Sequence, residues 1–142
     1  TLFRSSRCIM KVTVIGFKSI SREALRTGLE KYLPNNTSYI VTPGCSSLAL
    51  LVSEYADFKG ISANCPYVGS DRDTPSNRRS VENMLDGAEL LVCFTADNAK
   101  LGFRLPYSIQ LAKERNIMTH IYRLKIEKKK KPSSDDFKRN FR

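Results

Sequence analysis

The sequence has no apolar run approaching the roughly 20 residues that a membrane-spanning helix needs. Its first ten residues also lack the apolar segment of a secretory signal. A soluble, cytoplasmic protein with no membrane partner is the expectation. Cysteine is sparse: Cys8, Cys45, Cys65 and Cys93 stand far apart, without a CxxC pair. Zinc-ligand spacing and a redox dithiol therefore find little support, and the cysteines read as small packing residues of a reducing compartment. Histidine is sparser still. His120 is the only one, and it falls inside an apolar stretch; a structural role there leaves no imidazole for acid–base work. No metal and no cofactor is implied.

What is present suits one domain. A chain of 142 residues matches the usual domain size, and a second core would be starved of apolar side chains. Hydrophobic residues at 41% and charged ones at 27% are ordinary for a folded protein and too apolar for a wholly disordered one. The formal charge of +10 is unevenly placed: residues 123–142 hold nine Lys or Arg against three Asp or Glu. The body is only mildly basic, so the overall charge describes a tail more than a cleft. Residues 1–9 carry no usable periodicity, and Met10 reads as the natural start, with 1–9 an extension; residues 10–124 then form the domain and 125–142 a basic, flexible tail.

Along the domain, strands and helices alternate. Residues 11–17 (KVTVIGF) are rich in β-branched side chains and end at a glycine, as a buried strand does. Residues 21–33 have helical spacing, with Ser21 as cap and Pro34 as stop. A second strand is expected at 38–42, a helix at 47–59 closed by Gly60, and a third strand at 61–67. Residues 68–79 read as a polar loop, 80–86 as a short helix, 89–95 (ELLVCFT) as a buried strand, 105–116 as a helix and 118–124 as a last strand. Continuous apolar strands alternating with helices predict a three-layer, Rossmann-like α/β fold: an open parallel sheet of about five strands with helices on both faces.

Ligands of such sheets bind beyond the carboxyl ends of the strands. That singles out the turn containing Gly16, Phe17 and Lys18, the turn Gly44-Cys45-Ser46-Ser47, the loop at 68–79, and the turn with Lys100, Gly102 and Arg104. Free amides and the positive end of a helix dipole at Gly44 to Ser47 suit a phosphate, although the same residues also make an ordinary strand-to-helix turn. Lys100, Arg104, Arg78 and Arg79 are either phosphate partners or solvated surface charges.

The order of elements, together with four passages, resembles the SLOG superfamily, which includes the Smf/DprA proteins, the LOG phosphoribohydrolases and the YspA-type proteins. The passages are Val14-Ile15-Gly16-Phe17; Pro43-Gly44-Cys45-Ser46-Ser47 followed by Tyr55-Ala56 and Gly60; the run RRSVENMLDGAELLVCF from Arg78, which includes Asn83; and Lys100-Leu101-Gly102-Phe103-Arg104. The likeness to the YspA-type branch runs over residues 11–124. It implies a Rossmann-like fold, a nucleotide or nucleotide-derived ligand held by those turns, and pairing into a homo-oligomer. The family's acidic residue after the second-strand turn is replaced by Ser47-Leu48-Ala49, and the glycine-rich turn and glutamate of the phosphoribohydrolases are absent.

Three functions follow from the residues and the resemblance. The first is binding or sensing of a nucleotide through phosphate-holding turns. The second is hydrolysis of a nucleoside monophosphate or related N-glycoside, with Glu82, Asp71 or Asp73 as the carboxylate. The third is a weak nucleic-acid contact through the lysines and arginines of the tail, which has only Phe137 and Phe141 for stacking.

Overall fold

A computed structural model describes residues 10–17, 20–44, 47–68, 70–97 and 102–124. The described residues form five strands and four helices: β1 (Met10–Gly16), α1 (Arg22–Tyr32), β2 (Thr37–Val41), α2 (Ser47–Lys59), β3 (Ser62–Asn64), α3 (Pro75–Leu85), β4 (Leu90–Ala96), α4 (Arg104–Glu114) and β5 (Met118–Leu124). The sheet order is β3-β2-β1-β4-β5, and every neighbouring pair is parallel. The expected open α/β sheet is therefore the observed one.

Strand alternation assigns the two faces. Val12 and Val14 of β1, Ile40 of β2, and Leu90, Val92 and Phe94 of β4 point to one side, where Leu25 and Leu29 of α1 and Leu48 and Val52 of α2 meet them. The intervening residues Ile15, Val41, Leu91 and Cys93 face Val81, Met84 and Leu85 of α3 and Leu105, Leu111 and Ala112 of α4. Because β4 is covered on both sides, all seven of its residues are buried, and its sequence reads as one apolar run. Helix α1 comes unusually close to the sheet at Gly28: a Cβ there would overlap the Phe94 ring and lie 2.8 Å from Tyr122.

Element ends follow local chemistry. The Ser21 side chain accepts from the Ala24 amide at 3.1 Å and starts α1, while α2 stops at Gly60, whose φ of 73° suits a residue without a Cβ. Two expectations need correction. The third strand is confined to Ser62–Asn64, because Pro66 has no N–H to donate to a ladder. The polar loop ends at residue 74, not 79: the Thr74 side chain accepts from the Asn77 amide and Pro75 occupies the first helical turn, so α3 begins five residues earlier than its apolar periodicity suggests. No helix among the described residues is long and apolar enough to cross a membrane.

Cys93, in the interior of β4, shows what this burial does. Desolvation pushes its thiol from 9.0 up to about 12, with a hydrogen bond to Ser108 working in the opposite direction. A raised folded-state value favours the neutral thiol, so this contribution to stability is complete below about pH 9 and is lost as the pH climbs towards about 12. Native protein at pH 8 should leave Cys93 unalkylated by iodoacetamide, whereas protein in urea should react there. Peptide mass mapping checks this, and native labelling of Cys93 equal to that of half-buried Cys65 would contradict the packing.

Candidate functional site

In the order β2-β1-β4, the chain leaves β1 towards one side of the sheet and later returns on the other, so β1 and β4 flank the point where strand order reverses. All strands run the same way, so Gly16, Gly44 and the turn containing Gly102 and Arg104 share one edge. The loop leaving β3 arrives there too. Of the other expected site residues, Lys18, Cys45, Ser46 and Lys100 lie outside the described residues, as do the extension at 1–9 and the tail at 125–142.

The best-defined constellation at this edge surrounds Asp71. Its Oδ1 accepts hydrogen bonds from the backbone N–H of Phe103 at 3.0 Å and of Arg104 at 2.8 Å. The Arg104 guanidinium lies 3.8 Å from the same oxygen. The carboxylate presses against Gly102, where a Cβ would collide with Asp71 Oδ2, and Gly102 also needs glycine for its φ of 70°. Helix α4 has no side-chain cap of its own at Phe103, so a residue 32 positions earlier satisfies the first orphan amides. Two N–H groups, the helix dipole and a guanidinium thus converge on one oxyanion.

Arg104 is positioned from behind. Its side chain is only 5% exposed, and Nη2 donates to Ser70 O and to Asn77 Oδ1, each at 3.2 Å. The Asn77 amide nitrogen in turn donates to Ser70 O at 2.6 Å and Arg72 O at 2.7 Å, tying the loop to α3. Sequence reading missed Ser70 and Asn77. The only local signal for them was the Thr74-Pro75 helix start, which places Asn77 in the first turn facing the loop.

Other expected ligand residues have structural surroundings of their own. Phe17 is 4% exposed and packs into the core with α1 and α2. The Gly44 amide donates to Pro66 O at 2.9 Å, and a Cβ at Gly44 would collide with Cys65 O. Its glycine thus serves the close approach of two strand-end turns, and this amide is already engaged. Gly16 pairs with Phe94 in the sheet and is half-buried at the end of β1. Ser47 opens α2 and is exposed. The Thr42 hydroxyl, fully buried just past β2, has no hydrogen-bond partner among the described residues.

The charged candidates separate along α3. Arg78 grips Asp73 through two bonds of 2.7 and 3.0 Å, and this guanidinium holds the Asp73 carboxyl below its ordinary value. Arg79 is exposed beside it. Glu82 accepts from the Tyr107 hydroxyl at 3.1 Å. Asn83 is exposed, eight residues into α3. At 1.5 Å per residue that is about 12 Å from the N-terminal end of the helix, towards the opposite edge of the sheet. Asn83 and Glu82 are therefore not gathered with Gly102 and Arg104. No cluster of acidic, histidine or cysteine side chains suited to a metal occurs among the described residues. Compared with known proteins, the chain matches no family model and no curated sequence.

Proposed function

We propose that this chain binds a nucleotide or nucleotide derivative by its phosphate at the switch point between β1 and β4. The observation that carries the reading is the Asp71 carboxylate on the Phe103 and Arg104 amides: the start of α4 already coordinates an oxyanion, at the sheet edge where open parallel sheets take their ligands. Gly102 supplies the bare backbone that a bulky phosphate needs, and buried Arg104 supplies the charge. The resemblance of residues 11–124 to the SLOG superfamily points to the same ligand class.

Binding is favoured over N-glycoside hydrolysis because each candidate carboxylate is committed elsewhere: Asp73 to Arg78, Glu82 to Tyr107 and Asp71 to α4. A general base must reach the proton it abstracts, and a carboxylate held by a bidentate guanidinium is a weak one.

The test is a thermal-shift series with ribonucleoside 5′-monophosphates, diphosphates and the matching nucleosides. A ligand at 100 times its dissociation constant adds about 2.7 kcal/mol of stability, so a cognate nucleotide should raise Tm by several degrees and its nucleoside should do far less. Equal shifts from nucleoside and nucleotide, or none from any phosphate, would overturn the reading.

A further inference from the structure

We propose that β5 is the edge at which two copies of this chain meet, antiparallel about a two-fold axis through Ile121, so that one sheet continues across the dimer. The two borders of the sheet differ in kind. On one side β3 is only three residues long, Ser62–Asn64, and Pro66 follows it, so that border offers little to a neighbour. On the other side β5 pairs with β4 at every residue from Met118 to Leu124, in unbroken register, while its outer side has no partner among the described residues. A seven-residue ladder thus ends in main-chain donors and acceptors that await another strand. The usual protections of such an edge are missing, because β5 contains no proline, lysine or carboxylate and no bulge. Met118 and Ile121 stand along it 63% and 44% exposed.

The side chains of β5 select a second copy as the occupant. Met118-Thr119-His120-Ile121-Tyr122-Arg123-Leu124 presents the same kinds of group from either end: apolar, polar, aromatic, then the central isoleucine. An antiparallel pair centred on Ile121 sets Met118 against Leu124, Thr119 against Arg123, His120 against Tyr122 and Ile121 against its own mate, and it uses the whole strand. A centre at His120 or Tyr122 forfeits pairs at the strand ends, and one at Arg123 brings two guanidinium groups face to face. A two-fold axis perpendicular to the sheet also keeps the α1 layers of both copies over one face and the α4 layers over the other. Tyr122 and Leu124 pack on the α1 side, where Tyr32 stacks on His120 at 4.7 Å and meets Tyr122 edge-on at 5.8 Å. Pairing joins this aromatic cluster to its mate and covers Met118; on the other face it covers Ile121. The continuation of the chain suits the edge less well, since residues 125–131, KIEKKKK, hold no Gly, Pro, Asn or Asp with which to double back as a hairpin. This surface is independent of the phosphate reading, and either can fail without the other.

Sedimentation equilibrium of the full chain should give twice the 16.1 kDa of one copy. Ile121→Lys places two ammonium groups across the axis and should raise the dimer dissociation constant at least tenfold, with the circular dichroism of the fold retained because the side chain is partly exposed. Ile121→Glu should do the same. An equimolar mixture of the two variants should recover the dimer, which happens only if residue 121 of one copy lies beside residue 121 of the other. A measurement on wild type alone covers variants that fail to fold: hydrogen exchange at the amides of residues 118–124 should slow as the protein concentration rises through the dissociation constant. A chain that stays monomeric, with exchange at 118–124 independent of concentration, overturns the proposal and gives the edge to some other occupant. A dimer that Ile121→Lys leaves intact, or a mixture that does not re-form it, overturns it equally.

Discussion

Phe94→Ala is expected to cost about 3–5 kcal/mol of folding stability, the range for truncating a buried aromatic, and urea denaturation monitored by circular dichroism measures it. Phe94 is fully buried in β4, lies edge-on to Tyr122 with ring centroids 5.7 Å apart, and forms the surface on which Gly28 of α1 rests. That last contact makes the prediction sharper than a simple core deletion. In an exposed helix Gly→Ala stabilises by up to about 1 kcal/mol. In this protein Gly28→Ala should instead destabilise by about 1–3 kcal/mol, since the new methyl has no room beside the ring and the helix must move outward. In the Phe94→Ala background the same Gly28→Ala change should cost distinctly less, with only the 2.8 Å approach to Tyr122 left to relieve. A double-mutant cycle with no coupling would mean that α1 does not lean on Phe94 as described.

Arg104→Met should be the most damaging change at the site. It removes the donor to Ser70 O and Asn77 Oδ1 and strips the guanidinium from beside Asp71. Losing the hydrogen bonds of a side chain only 5% exposed deprives buried acceptors of their donor at a cost of about 1–3 kcal/mol, while the 3.8 Å pair with the 35% exposed Asp71 adds little. Arg104→Lys should recover little of the loss, since an ammonium cannot span two acceptors with a planar fork. If the site is what we propose, Arg104→Met also abolishes nucleotide-induced thermal shifts at concentrations that saturate wild type. Unchanged shifts in a folded Arg104→Met protein would move the phosphate elsewhere.

The sheet was legible in the sequence because β1 is rich in β-branched residues and β4 is apolar along nearly all of its length. Residues 89–95 read as a thoroughly buried strand, and β4 (Leu90–Ala96) is one. Helix α2 was legible to the residue because Gly60 marks its end in a way no periodicity can. Helix α3 was not: only Asn77, Val81, Met84 and Leu85 of its eleven residues are buried, so its first turn looks like polar loop until Thr74 and Pro75 are weighed as cap and first residue. The site was legible as an edge of the sheet but not as a set of partners. Asp71 and the Phe103 amide are 32 positions apart, and no local pattern connects them. For the same reason Asp71 stood among candidate catalytic acids when its geometry is that of an anion seated on a helix. Gly44 carries a second constraint that the sequence did not disclose: the crowding by Cys65 demands a glycine there whether or not a ligand uses the turn.

Two of the three donors around Asp71 belong to the polypeptide main chain, at Phe103 and Arg104. Among point mutations only one to proline deletes a peptide N–H, so over evolutionary time the capacity to hold an anion here is more durable than any preference for a particular one. Exposed neighbours such as Tyr67, Arg72 and Arg79 can be exchanged freely without disturbing those donors. If the site holds the phosphate we propose, descendants of this chain can change what they recognise while retaining the same seat for its charge.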